Sequence, residues 1–289
     1  MKSLWRAAAV SLLLALVPGT AQAATTVGQT GVAGGSCGNN AAFLQVATTP
    51  GPSYDIPAGG GVITRWRTAS EGSAGGQLAL RTYHGSSSGT AFTATAQGAF
   101  EMIPAAAGIK QFSTRLAVAA GDHLGFITGP AGAVACFDNT PFPGGKYALL
   151  VTSPLGVGEP QTYIVTTGFR WSVEADVEPD ADNDHFGDET QDACPSQATT
   201  QAGCAAHIDS GPKAKSKSSK ASFAFTAPGG GAGVTGFECQ IDKKAFAACS
   251  SPAKFKKLDP GKHTFRVHVV GPGGVLGPDA TFSWRIKKK

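Results

Sequence analysis

The chain has 289 residues, with 39 glycines, 18 prolines, six cysteines and a formal net charge of +4. Turn formers are abundant and no long apolar repeat falls at helical spacing, which excludes a helical bundle and points to an all-β chain. The small net charge hides a strong polarity: residues 24–173 carry seven basic and six acidic side chains, 174–211 ten acidic and no Lys or Arg, and 212–289 fifteen basic against four acidic. These stretches are therefore +1, −10 and +11.

Lys2 and Arg6 precede the apolar run AAAVSLLLALV, and Ala21-Gln22-Ala23 is a small-residue cleavage site. Residues 1–23 read as a secretory signal peptide. The run is shorter than the ~20 residues a spanning helix needs, so no membrane anchor is expected after its removal. Export to an extracellular or cell-wall location places the six cysteines where they pair. Cys37 with Cys136, Cys194 with Cys204, and Cys239 with Cys249 keeps each bond inside one module. A loop of ten residues closed by such a bond stabilises by about 3 kcal/mol in the chain-entropy model. Zinc is the rival use of cysteine, but neither C-x-x-C nor H-x-x-x-H spacing occurs.

Residues 24–178 offer strand candidates at the spacing of a sandwich. In Gly61 to Thr68 the residues Val62, Thr64, Trp66 and Thr68 alternate with Ile63, Arg65 and Arg67. Gln77 to Tyr83 and Thr90 to Thr95 follow, joined by HGSSSG, and then QFSTRLAV, HLGFITG, KYALLVT, TYIVTTG and FRWSVEADV. LAVAAGDHLGFITG resembles the turn and edge strand of a jelly-roll sandwich, an architecture shared by carbohydrate-binding, adhesive and ligand-free domains. Trp66 and Trp171 are either a sugar-stacking pair or core, and an alternating strand favours core. Gly85 to Gly89 matches G-x-S-x-G only formally, because the nucleophile elbow needs a strand-turn-helix junction and this run bridges two strands. Nothing in the sequence pairs His84 or His123 with an acid and a nucleophile, so no enzyme is expected.

Residues 179–211 form an acidic linker. Counted as a loop from Asp180, the carboxylates Asp180, Asp182, Asp184 and Asp188 stand at positions 1, 3, 5 and 9, and the carbonyl of Phe186 at position 7. That is the ligand order of an EF-hand loop, and oxygen-rich sites of this kind suit calcium. His185 holds position 6, where a left-handed residue is needed and His is among the tolerated types. Gln191 at position 12 is no bidentate carboxylate, which leaves Glu189 or Asp192 to close the shell. No amphipathic helices flank the loop. The run Asp180 to Pro195 resembles the thrombospondin type 3 repeat, which implies Ca2+ bound by Asp180, Asp182, Asp184, Phe186, Asp188 and Asp192 in a linker with little core. The plain alternative is a solvated acidic spacer.

Residues 212–289 are expected as a basic domain that resembles, over 210–286, the small Ig-like module of secreted actinobacterial proteins, through Gly236 to Asp242, Phe246 to Pro252 and Pro260 to Val267. The resemblance implies a second, smaller β-sandwich. Within it His263, Phe265, Val267 and Val269 share one face, and Thr264, Arg266 and His268 the other. Gly231 to Gly236 fits G-x-G-x-x-G but reads as a loop, because no helix follows it. The lysines suit either a merely solubilising surface or an anionic polymer such as a cell-wall glycan. Core-like aromatics argue against specific nucleic-acid binding. The reading is a secreted, non-enzymatic, calcium-binding modular protein with a surface-binding or adhesive role. Its alternative is a polysaccharide-binding accessory chain or hydrolase built on the first sandwich. The ligand and the oligomeric state are not written in the sequence.

Overall fold

The computed structural model describes residues 23–288 apart from 32, 72–74, 87, 131–133, 152–155 and 232. Residues 1–22 of the expected signal peptide lie outside that set. The described chain is all-β, built of antiparallel sheets in sandwiches with two 3-10 turns, and none of its helices is long and apolar enough to cross a membrane.

The first twelve strands are β1 (Thr25–Gln29), β2 (Ala33–Cys37), β3 (Ala42–Thr48), β4 (Gly61–Ser70), β5 (Gln77–Gly85), β6 (Ala91–Met102), β7 (Gly108–Val118), β8 (His123–Thr128), β9 (Val134–Leu150), β10 (Pro160–Thr162), β11 (Ile164–Trp171) and β12 (Val173–Glu178). They form a four-stranded sheet ordered β1-β12-β4-β7 and a larger sheet ordered β10-β6-β5-β8-β3-β9-β11, with β2 added to β9. The core between them joins Val27, Ile63, Trp66, Ala175 and Val177 of the small sheet to Phe43, Leu78, Leu80, Leu124 and Phe126 of the large one. Trp66 and Trp171 are 2% and 4% exposed, so both are core residues. Trp171 packs against Phe43 and Tyr147 with ring centroids 4.8 and 4.9 Å apart. The large sheet is also covered on its other face, where Leu44, Val46, Tyr83, Phe92 and Tyr163 form a separate cluster. This explains why β3 has no polar face: all of Ala42 to Val46 is buried.

On the outer face of the small sheet, charges pair in register. Glu174 lies opposite Arg67 and Asp176 opposite Arg65. Arg65 donates to Asp176 through Nε at 2.6 Å, and Arg67 grips Glu174 and both oxygens of Asp176.

Eight further strands follow: β13 (His207–Ser210), β14 (Lys215–Ser216), β15 (Ala221–Thr226), β16 (Gly236–Ile241), β17 (Ala247–Cys249), β18 (Ala253–Phe255), β19 (Gly261–Val270) and β20 (Ala280–Ile286). They form a three-stranded sheet β13-β15-β18 and a five-stranded sheet β14-β20-β19-β16-β17. Alternation works as expected on β19, where Phe265, Val267 and Val269 are fully buried and Phe223 stacks on Phe265 at 4.0 Å. His268 departs from the expectation. It sits on the outward face but is 5% exposed, because Phe246 stacks on it at 4.3 Å and Asp279 and Glu238 bracket its ring.

The three disulfides pair as expected, Cys37–Cys136, Cys194–Cys204 and Cys239–Cys249, and their Cα separations of 5.9, 4.8 and 5.8 Å lie in the usual window. They agree with an oxidising compartment. Cys194, Cys204 and Ala206 belong to the second core, and β13 pairs with β15 although it lies in the stretch expected as linker. The second body therefore reaches back to residue 194.

Candidate metal centre

The acidic loop starts where β12 ends, and Glu178 fastens it. This carboxylate is 2% exposed and accepts from Thr64 Oγ1 at 2.7 Å, from the amides of Glu189 and Thr190 at 2.9 Å each, and from Thr190 Oγ1 at 2.6 Å. Gly187 lets the loop lie this close, since a Cβ there would fall 2.5 Å from Glu178 Oε2 and 2.6 Å from Thr64 Cγ2. Arg115 caps Phe186 with its guanidinium 4.0 Å from the ring centre, and Gln191 Nε2 donates to the Thr114 carbonyl at 2.8 Å. The loop is thus docked on β7 as well.

Inside the loop, Asn183 and His185 adopt φ of 60° and 68°. The left-handed residue expected at His185 is there. Asp180 holds the turn, accepting the amides of Asp184 at 3.0 Å and His185 at 3.1 Å. Asp184 accepts the Phe186 amide at 2.8 Å and Gln201 Nε2 at 2.7 Å. Asp188 accepts the Ala181 amide at 3.2 and 3.3 Å. Asp180, Asp182 and Asp184 each offer a carboxylate oxygen within 4.8 Å of the others.

Three oxygens in this cluster are buried without a hydrogen-bond partner: both of Asp182 and Oδ2 of Asp192. Asp192 is 4% exposed, and its other oxygen takes the Cys194 amide at 2.7 Å. Burial, with the charges of Asp180, Asp182 and Asp192 added, pushes Asp188 up to about 6 despite the Ala181 amide. Asp182 and Asp192 are raised as well, first by burial and then by their carboxylate neighbours. The Cys194 amide on Asp192, and the amides of Gln197 and Asp184 that approach Asp182 without hydrogen-bond geometry, offset this only in part.

Of the carboxylates chosen from spacing, Asp180, Asp182 and Asp184 come together by distance, and Asp188 and Asp192 lie close enough for the charges of that group to raise them. Of the two residues left to close the shell, Asp192 faces the cluster, while Glu189 accepts the amide of Ala24 at 2.5 Å. Gln191, at the bidentate position, serves in docking. Glu178, outside the spacing pattern, was not a candidate, and its only sequence signal is its place at a strand end. All donors here are hard oxygens, which fits calcium and does not fit a soft thiolate or imidazole metal.

The other end of the loop is fixed to the second body. A Cβ on Gly277 would fall 1.8 Å from the Cys204 carbonyl oxygen, and Ser196 Oγ donates to the Pro228 carbonyl at 3.3 Å.

Both histidines of the first sandwich have acidic partners that the sequence did not reveal. His84 meets Asp122 at 3.1 Å, and His123 meets Asp55 at 2.6 Å beside a cavity of about 540 Å3 that Ser86 also lines. The second nitrogen of His123 faces the Gly85 carbonyl at 3.3 Å, and Ser86 Oγ bonds Ser88 Oγ at 2.8 Å. The ring is held as a tie between loops, not aimed at a hydroxyl. The run from Gly85 to Gly89 joins β5 to β6 as a hairpin loop, with Ser87 outside the described residues.

No protein-family model matches this chain, and no curated protein matches it. Four chains of known structure do. One is the glycoside hydrolase domain of Endo-D from Streptococcus pneumoniae R6, at 8% identity and a TM-score of 0.21, covering 90% of this chain and 32% of that one. The present chain spans about a third of that domain's length, and a likeness at this level assigns neither family nor activity.

Proposed function

We propose that residues 180–192 bind calcium and that the ion fixes the joint between two β-sandwiches in a secreted, non-enzymatic binding protein. The observation that carries this reading is the set of orphaned oxygens on Asp182 and Asp192. Burying a carboxylate oxygen without a partner costs free energy, and no Lys or Arg occurs in 174–211 to provide one. A divalent cation coordinated by Asp180, Asp182, Asp184, Asp188 and Asp192 removes that cost and relieves the mutual repulsion. The resemblance to thrombospondin type 3 repeats supports the same ion. Because the loop is fastened to Glu178 at one end and to the second core at the other, the ion's effect is mechanical. It stiffens the connection and sets the relative placement of two surfaces.

Titration calorimetry on the oxidised protein, beside the Asp182→Asn, Asp184→Asn double variant, tests the reading. Calcium binding lost in the variant is expected. No heat at millimolar calcium, or equal binding by the variant, overturns it.

A further inference from the structure

The five-stranded sheet of the second sandwich carries an unusual row of charge. Lys215 on β14 is in register with Arg285 on β20, and Arg285 with Lys262 on β19. Residues in register share a face, and neighbouring strands lie about 4.8 Å apart. Three exposed cations therefore stand side by side across three strands. Like charges directly opposite each other destabilise a sheet, so the fold alone gives no reason for this row.

No carboxylate relieves it. Among the described residues, no Lys or Arg from 213 onward forms an ion pair with an acidic side chain within 4.0 Å, whereas histidines do. Glu238 and Asp279 both bond His268, at 3.2 and 2.9 Å. Asp242 bonds His263 at 2.9 Å and the Thr264 amide at 2.9 Å. Three of this body's five acids are thus spent on imidazoles, and Asp209 accepts the Thr226 hydroxyl at 3.0 Å.

Next along the same face come hydroxyls. Thr264 lies opposite Ser283, their oxygens 3.4 Å apart, followed by Arg266 opposite Thr281. The aromatic residues of these strands, Phe265, Phe282 and Trp284, point inward: Phe265 and Trp284 are 0% and 3% exposed, and Phe282 packs partly buried against the same core. The face thus offers cations and hydroxyl or guanidinium hydrogen-bonding groups on an extended surface, and its outward ring pair, Phe246 on His268, lies six residues along β19 from Lys262, so no ring stands beside the cation row for a base to stack on.

We propose that this outer face binds a linear anionic polysaccharide, with Lys215, Arg285 and Lys262 on its acidic groups and Thr264, Ser283 and Arg266 on its hydroxyls. The site is separate from the acidic loop and does not depend on calcium there.

The test is binding of polygalacturonate to the full oxidised chain in calcium-free buffer. A Lys215→Glu, Lys262→Glu variant is set against a Lys243→Glu, Lys244→Glu variant of equal charge, altered in the β16–β17 turn. The row variant is expected to lose affinity about tenfold or more, because close complementary charges are replaced by opposing ones. The turn variant should lose far less. The row variant's thermal midpoint should hold or rise, since Glu opposite Arg285 turns repulsion into pairing, so lost binding is not lost folding. Absence of binding by the parent chain, equal losses in both variants, or tighter binding of oligodeoxythymidylate than of polygalacturonate overturns the proposal.

Discussion

The chain holds two groups of crowded carboxylates within a few residues of each other, and they are built on opposite plans. Glu174 and Asp176, on the outer face of β12, lie in register with Arg67 and Arg65. Burial would raise Asp176, but hydrogen bonds from Arg67, Arg65 and Thr26 hold it below the ordinary carboxylate range. Asp182, Asp188 and Asp192, just beyond the strand, are raised instead, with burial first and like charges after it. The first cluster is complete within the protein. In the second, no Lys or Arg among the described residues pairs with a carboxylate, and the nearby Arg115 lies on the Phe186 ring instead.

The comparison breaks most visibly on Arg67→Ala. That change strips Glu174 of its cation and leaves the buried Asp176 with the more exposed Arg65 alone, and chemical denaturation should show a loss of about 3 kcal/mol. The loss should be the same with and without calcium. If calcium restores it, the two clusters are not independent.

Somewhat smaller is the effect of the ion itself. At calcium about a hundredfold above Kd, binding to the folded state alone adds about 2.7 kcal/mol. The thermal midpoint should rise accordingly over its value in chelator, and limited proteolysis should find the loop cut faster without calcium. A midpoint indifferent to chelator would make the second cluster a solvated spacer.

Gly187→Ala sharpens the contrast at the hinge. A methyl group forced against Glu178 and Thr64 should cost about 1–3 kcal/mol. Hydrogen exchange at the Glu189 and Thr190 amides should quicken, while the Arg67 cluster stays intact. Unchanged exchange would mean that the loop is held by β7 alone.

The smallest effect is a difference of sign in acid. A carboxylate with a lowered folded pKa contributes stability above the ordinary value, lost as pH falls through the folded one, and Asp176 belongs here. A raised carboxylate contributes below the ordinary value and loses that contribution as pH rises through the folded value, which for Asp188 is about 6. In chelator, lowering the pH from 7 to 5 should therefore relieve the loop and raise the midpoint relative to an Asp188→Asn control. In calcium the same change should weaken binding, because protons compete. A midpoint that drops in chelator relative to the control contradicts this assignment.

Much of this was legible in the sequence where the signal is local. The disulfide pairing followed from keeping each bond within a module, and β4, β5, β7 and β19 from alternation. That Asp180, Asp182 and Asp184 cluster followed from their spacing in the loop. Signals that depend on distant partners were lost. TTVGQ is a short run cut by glycine and AGGSC carries little strand propensity, and they become β1 and β2 through pairing with β12 and β9. KYALLVT marked only the end of β9, whose first half contains Pro141 and Pro143 and reads as loop. His123 finds Asp55 across 68 residues, and Glu178 gains its role only because β12 delivers it beneath the loop.

The pairing of β1 with β12 has a consequence for how the protein forms. Thr26 and Asp176 are 150 residues apart, and Cys37 and Cys136 are 99 apart, whereas the two later disulfides each span ten. Contacts that close long loops form slowly. A chain emerging from its amino terminus leaves β1 without its strand neighbour until β12 has appeared, so the first sandwich seals late, while the compact second one assembles from neighbouring segments.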